Sequence, residues 1–409
     1  MDKANSSNKR AAQALAAFAL LLPLSAVAAA DRAHQAMLTL DSHLDTPASL
    51  DLPGWRIEDA HDVDVDFTQV DLPRMRKGGL DGGFWVVYTP QGPLDEAGKV
   101  AARDLAFRRL LSIREMIASH GKTVELALTA GDAARITKAG KRIVYISIEN
   151  AYPLVDDPSL VRSFHAMGVR MLGLVHFANN QFADSSTDPG GPRWGGLSPL
   201  GRDLVAQANR LGLVVDASHA SDAVLDQLLA QSRAPIILSH SGCKAIYDHP
   251  RNVDDERLRR LAAAGGVIQI NSFEHYLKAL PRNKERDAAL RALSDKIDQP
   301  GLSQADYRAL LAERRAVVAR YPVEHASFDD FMAHLLHALK VVGVDHVGIG
   351  LDLDGGGGVT GMKDAGSVSR ITTALRAAGY DDAAIQKIWS GNLLRVVAAA
   401  QAAADPAAS

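Results

Sequence analysis

Eight short apolar runs recur along this chain, and stretches of helical pattern lie between them. They occupy residues 36–40, 83–88, 142–148, 170–175, 213–216, 236–239, 267–270 and 346–349. The runs are apolar on both faces rather than alternating, which is the pattern of strands covered on both sides. Helical patterns such as residues 105–119, 203–210, 222–231 and 256–264 lie between them. Alternation of this kind implies βαβ units and therefore a parallel sheet. Eight strands predict an α/β fold of the (β/α)8 TIM-barrel type, which absorbs most of the 409 residues into one enlarged domain.

One segment breaks the rhythm. Residues 274–328, between the last two runs, form a long charged helical insertion containing Arg282-Asn283-Lys284-Glu285-Arg286 and Glu313-Arg314-Arg315. It reads either as a solvated helical excursion or as a lid or dimer surface, since βα-loop insertions sit on the face of a barrel that carries chemistry. The Ala-rich tail over 397–409 reads as a frayed helix end. At the other end, Lys9 and Arg10 precede an apolar run over 11–24, and Ser25 leads into Ala26-Val27-Ala28-Ala29-Ala30. A positive start, an apolar centre and a small-residue end predict a cleaved signal peptide over 1–30. The run is short of the ~20 apolar residues of a membrane span, and no second one is long enough. The expectation is an exported, soluble bacterial protein of the periplasm, with 31–409 forming a single barrel domain.

Composition matters most through what it removes. The chain holds one cysteine, Cys243, so an internal disulfide and any site built on several thiolates are excluded; Cys243 reads as a small buried filler. With 45 Lys and Arg against 48 Asp and Glu there is no basic field for nucleic acid. A metal site would have to be built from carboxylates and from the fourteen histidines. Six of the eight runs end in such residues. The first leads into Asp41-Ser42-His43-Leu44-Asp45, the third ends at Glu149 and the fourth at His176. The fifth leads to His219, the sixth to His240, and the eighth to Asp352-Leu353-Asp354-Gly355. In a parallel barrel all of these converge on one mouth. So many buried ionisable groups need a counter-charge, which two divalent cations would supply. His43, Asp45 and Glu149 suffice for one ion, His219 and His240 for a second, and Glu149 can bridge the two. Such a pair, roughly 3.5–4 Å apart, can share a hydroxide able to attack an amide or ester carbonyl.

At these residues the chain resembles the membrane (renal) dipeptidase family of dizinc (β/α)8 barrels. The segments that carry the likeness are His43-Leu44-Asp45, Glu149, His219, and Ser232-Arg233-Ala234-Pro235-Ile236-Ile237-Leu238-Ser239-His240-Ser241. Arg251-Asn252-Val253, the stretch from Gly348 to Gly355, and Gly391-Asn392-Leu393-Leu394-Arg395-Val396 complete it. The resemblance implies two zinc ions, hydrolysis of dipeptides (including those with a C-terminal D-residue) and a homodimer. It assigns His176 to the oxyanion, Arg251 to the substrate carboxylate, Asp352 to the ammonium and the departing amine, and Tyr276 to the pocket wall. Where the family has small glycines after the bridging glutamate, this chain has Asn150-Ala151-Tyr152-Pro153, which would reshape the pocket.

Two other readings compete. A dizinc barrel could open a different small amide, a lactone or a β-lactam, although relatives of that kind carry His-x-His and a modified lysine rather than His43-x-Asp45 and Glu149. A catalytically silent zinc-binding protein would have no use for His176, Arg251 and Asp352 together. His165, His249, His275 and His346 are read as having no functional role, and His61-Asp62 as part of a solvated acidic loop.

Overall fold

The computed structural model describes residues 32–299 and 301–406. The signal peptide expected over 1–30 and the last three residues of the tail lie outside the described residues. The strands are β1 (Leu40–Leu44), β2 (Gly82–Tyr88), β3 (Val124–Leu126), β4 (Arg142–Glu149), β5 (Val169–Gly173), β6 (Val214–Asp216), β7 (Ile237–Cys243), β8 (Asn252–Val253), β9 (Val267–Ile270) and β10 (Val347–Ile349). Eight of them follow one parallel path, β1-β2-β4-β5-β6-β7-β9-β10, with β3 added beside β4 and β8 beside β7. Helices such as Glu96–Ser119, Pro199–Leu211, Asp222–Gln231 and Asp255–Ala263 connect them. The fold is an α/β TIM-type barrel.

The path leaves a seam between β1 and β10, which share no regular ladder. Side chains and single bonds bridge it. The Asp41 carboxylate accepts the Leu351 N–H at 3.1 and 3.2 Å. The Asp45 N–H donates to the Leu353 carbonyl at 2.9 Å, and Leu44 forms an isolated parallel bridge with Leu353. The Ser42 hydroxyl donates to the Ser239 carbonyl across the barrel interior at 2.5 Å.

Apolar side chains fill the lower barrel. Leu40, Phe84, Tyr145, Met171, Val214, Ile237 and Val267 pack there with Leu393, Val396, Val397 and Ala400 of the helix Asn392–Ala402. That helix seals the bottom, so the tail expected to fray from 397 is instead packed, with Val397 and Ala400 each 1% exposed. Burial of its apolar stripe outweighs the weak cohesion of a terminal alanine-rich turn.

Two further expectations change. Residues 36–40 are not the first strand: 32–35 are helical, Met37 N–H bonds back to the His34 carbonyl at 3.0 Å, and β1 begins at Leu40. The sixth run extends to Cys243 and takes in His240. Polar residues therefore lie inside β1 and β7, where they satisfy one another instead of interrupting the strand. His61 is no solvated residue either. Its ring stacks on Trp55 at 4.9 Å and bonds Asp66 at 2.6 Å, so half-buried packing holds what charge density alone marked as a loop.

Between β9 and β10 the chain forms the helices Glu274–Leu277, Lys284–Ile297, Gln304–Arg320 and Phe328–Val342. The second and third pack against each other, and Leu293 of one and Tyr307, Leu310 and Leu311 of the other are buried. Phe328–Val342 starts with a Ser327/Asp330 capping box and packs on β7, β9 and β10 as an ordinary barrel helix. No helix among the described residues is long and apolar enough to cross a membrane.

Candidate active site

The barrel brings the sequence-predicted residues to its upper end. His43 and His240 lie inside β1 and β7, and Glu149 is the last residue of β4. His176, His219 and Asp352 follow β5, β6 and β10. All six are buried, as is Asp45. His219 (φ 66°) and Asp352 (φ 63°) hold left-handed backbone, as do Asn150 and Asp354. Non-glycine residues adopt this conformation at a cost, and its clustering after three strand ends around one cavity marks a site where direction of the side chain has outweighed backbone preference. Gly355 has no such freedom of replacement. A Cβ there would fall 2.1 Å from Asp45 Oδ2 and 2.2 Å from Asp352 Oδ1.

Glu149 is the centre of the cluster. Its Oε1 lies 3.0 Å from His219 Nε2, 3.4 Å from His240 Nε2 and 3.9 Å from His176 Nε2, while Oε2 lies 3.6 Å from His43 Nε2. His43 Nε2 is also 3.4 Å from Asp45 Oδ2. Three sets of donor atoms come close enough to share an ion: His43, Glu149 and His240; Glu149, His176 and His219; His43, Asp45 and Asp352. The geometry thus sets His176 and Asp352 beside the five residues expected to hold metal rather than apart from them.

Electrostatics follow from this crowding. Burial works against the Glu149 carboxylate, but His176 and His43 more than offset it and hold the group well below the usual carboxylate range. Burial, and then the charge of Asp45, push the Asp352 carboxyl well above that range. Burial opposes the charged form of His43, but Glu149 and Asp45 raise it. Burial, followed by nearby cations, depresses His219 and His240 strongly, and burial also lowers His176. His43 Nε2, Asp45 Oδ1 and His219 Nδ1 are buried without a hydrogen-bond partner. Buried polar atoms are ordinarily satisfied, and these nitrogen and oxygen donors suit a divalent cation of borderline softness.

The cavity above the cluster is about 890 Å³. Glu149, His176, His219, His240, Tyr276 and Asp352 line one part of it. Another part runs between the helix Glu96–Ser119, with Leu105 and Arg109, and the insertion, with Ile297, Asp298 and Leu302. Arg251 is not itself in the cavity wall. It is 3% exposed, its guanidinium carbon lies 5.2 Å from the Tyr276 ring centre, and its Nη2 donates to the His240 carbonyl at 3.0 Å. The nearby acids are engaged elsewhere, Asp254 with Arg257 and Asp255 with His337. Arg251 is therefore a buried cation with no carboxylate paired to it among the described residues, and its Nε is unpartnered.

Sequence reasoning passed over several neighbours. The Tyr88 hydroxyl lies 3.4 Å from His176 Nδ1. Phe177 packs on His176 at 3.8 Å yet stays 48% exposed on the cavity. Asp41, raised to about 7 by burial, lies behind His43. Tyr88 ends a run already marked as a strand, and its place beside Glu149 was the available signal. His249, set aside as inert, stacks on Tyr276 at 4.8 Å and accepts the Arg251 N–H at 3.1 Å.

The sequence matches the family described as membrane dipeptidase (peptidase family M19) over residues 27–409. The chain belongs to that family. It is a dipeptidase of the metallopeptidase class, with His, Asp and Glu clusters able to hold metal. Dipeptidase tcpJ of Claviceps purpurea is 31% identical over 334 residues, 80% of this chain and 68% of that one. Dipeptidase verJ of Clonostachys rogersoniana is 29% identical over 88% of this chain and 83% of its own. Among solved structures, the probable dipeptidase PvdM from Pseudomonas aeruginosa is 32% identical with a TM-score of 0.79, covering 94% of this chain and 100% of that one. A metallo peptidase from Rhodobacter sphaeroides, liganded with a phosphinate mimic of the dipeptide L-Ala-D-Ala, shares the fold at 23% identity and a TM-score of 0.68, over 88% and 99% of the two chains. The expected compartment is corrected by these relatives. Five similar curated dipeptidases are fungal, and on that finding the bacterial periplasmic assignment does not stand.

Proposed function

We propose that this family member hydrolyses the peptide bond of dipeptides, with two zinc ions held by His43, Asp45, Glu149, His219 and His240. The observation that carries the reading is the position of Glu149, whose two carboxylate oxygens face different histidines, His43 on one side and His219 and His240 on the other. A bridging carboxylate needs that disposition. Zinc bound there would polarise the scissile carbonyl and lower the pKa of water.

The chain's own residues supply the rest. Burial lowers the pKa of His176, and with the Tyr88 hydroxyl donating to Nδ1 its ring would carry the proton on Nε2 as a donor to the developing oxyanion. Arg251 takes the C-terminal carboxylate of the substrate. A buried guanidinium without a counter-ion is costly, and a bound carboxylate would complete it. Asp352 faces the substrate ammonium, and a carboxyl held above its usual range is suited to keeping a proton and passing it to the departing amine. Tyr276 covers Arg251 and shapes the pocket beside it. A carboxylate clamp and an ammonium clamp set the length of substrate to two residues. The part of the cavity lined by Ile297, Asp298 and Leu302 gives the helical insertion a role in side-chain preference.

The test is turnover of L,L- and L,D-dipeptides by zinc-loaded protein, with and without chelator. Hydrolysis of dipeptides but not of longer or blocked peptides, abolished by chelator and restored by zinc, is the expected result. A protein shown to hold two zinc ions that cleaves no dipeptide would overturn the reading. The L,D arm is motivated by the L-Ala-D-Ala mimic bound to the Rhodobacter relative.

A further inference from the structure

Beneath the cluster lies a hydrogen-bonded chain that touches a histidine on each side of Glu149. The Asp216 carboxylate, at the end of β6, accepts three bonds. Oδ1 takes the backbone N–H groups of Ser218 and Ser239, each at 2.9 Å, and Oδ2 takes the Ser239 hydroxyl at 2.5 Å. A serine hydroxyl has one hydrogen and two lone pairs. The Ser239 hydrogen is committed to the carboxylate, at the length of a charge-assisted bond. Its oxygen can then only accept from its other neighbours. Those neighbours are His240 Nδ1 at 2.9 Å, His43 Nδ1 at 3.4 Å and the Ser218 hydroxyl, also at 3.4 Å, whose oxygen already accepts the His240 backbone N–H at 3.0 Å. A ring whose Nδ1 donates carries its proton there and leaves Nε2 with a free lone pair. In both rings Nε2 is the atom turned toward Glu149. Ser239, Asp216, His43 and His240 are all buried, so water does not compete for these bonds.

We infer that Ser239, held by Asp216, is a positioning residue that fixes the ring tautomers of both His43 and His240 and so presents one Nε2 lone pair to each metal ion. The inference rests on the ligand set proposed above. A metal-bound histidine ordinarily donates its second ring nitrogen to a carboxylate or carbonyl of its own. Here one hydroxyl serves two rings that meet across the barrel interior, their centres 3.7 Å apart, and a single carboxylate sets the polarity of both. His219 is outside the arrangement, because its Nδ1 has no hydrogen-bond partner.

The polarity makes an unusual order of severity among substitutions. Ser239→Ala removes the acceptor and leaves the rings without a bias. Asp216→Asn reverses the bias. The asparagine oxygen must stay on the two backbone N–H groups, so its amide faces Ser239 and donates. The serine hydrogen then turns to His240 Nδ1 and drives the ring proton to Nε2, where metal should bind. Zinc affinity is measured by chelator competition on the full chain for wild type and both variants, with a melting curve for each. Removal of second-sphere partners typically lowers metal affinity about 10–100-fold. Ser239→Ala is expected in that range for both ions, and Asp216→Asn is expected to lose more. If Asp216→Asn binds zinc at least as well as Ser239→Ala, or if only one ion is weakened in Ser239→Ala, the inference is overturned. Should either variant fail to fold, ¹⁵N spectra of zinc-loaded wild type decide: Nε2 ligation with a protonated Nδ1 is expected at both His43 and His240, and Nδ1 ligation at either overturns it. Wild type that holds fewer than two zinc ions would instead defeat the ligand assignment itself.

Discussion

Arg251 is a residue whose burial makes sense only with something bound beside it. Its Nη2 is held by the His240 carbonyl and its Nε is unpartnered, so the fork is oriented before substrate arrives. Lysine keeps the charge but not the fork. Arg251→Lys is expected to raise KM about tenfold or more, equivalent to ~1.4 kcal/mol of lost ground-state binding, with a smaller change in kcat. Steady-state kinetics on one good dipeptide separate the two, and a fall in kcat at unchanged KM would place Arg251 elsewhere in the mechanism. Asp352→Asn makes the opposite expectation: a kcat lower by roughly 10²–10⁴, as for loss of a general acid, with zinc content kept. Zinc analysis beside the kinetics checks it, since loss of metal would make Asp352 a ligand. His219→Ala should lose one zinc and nearly all activity; surviving activity would mean that the ligand set is wrong. These residues were legible because their spacing from each apolar run placed them at one mouth. Tyr88 and Ser239 were less so, because their roles come from hydrogen bonds between strands distant in sequence.

At the scale of elements, the order of strands and helices could be read from apolar periodicity, and the main errors came where polar residues sit inside strands. β1 and β7 carry His43 and His240 within the strand, and a pattern that looks for apolar runs stops too early or starts in the wrong place. The short β3 and β8 were missed for lack of length. Helix Phe328–Val342 illustrates another kind of tie that periodicity does not show. His334, buried on that helix, accepts the Cys243 N–H on Nδ1 at 2.9 Å and donates from Nε2 to the Leu277 carbonyl at 3.0 Å. It thus joins β7 to the start of the insertion as a neutral ring. Burial lowers its pKa from the ordinary 6.5, against a smaller opposing effect from its bond to Leu277. Among the neighbouring titratable groups, His337 acts with burial and Asp330 against it. Below pH 6.5 the unfolded chain takes up a proton that the folded one resists, so this contribution to stability is complete above 6.5 and is lost as pH falls. Melting temperature should therefore decline below pH 6.5, and His334→Gln, which can keep both bonds without titrating, should flatten that decline. An unchanged slope in the variant would assign the acid sensitivity to other groups.

Considered whole, the molecule is a barrel sealed below by its own last helix and open above to a large cavity. Ions that bind only the folded chain add RT ln(1 + [L]/Kd) to its stability, about 4 kcal/mol at a thousandfold excess over Kd. Zinc should raise the melting temperature by several degrees, and a chelator should reverse the rise; a melting curve indifferent to both would mean no tight site. The barrel's closure gives this a location. Between β1 and β10 there is no continuous ladder; single bonds from Asp41, Ser42, Asp45 and Thr46 and one isolated bridge span the gap. His43 and Asp45 stand on one bank of that seam and Asp352 on the other. Read as a mechanical joint, the seam is where the cylinder would first part. The amides of Leu351 and Asp45 should trade their protons for deuterium sooner than those buried between β2 and β4, and filling the metal site should slow that exchange on the bank carrying His43 and Asp45. The reacting centre would then also be the latch of the cylinder.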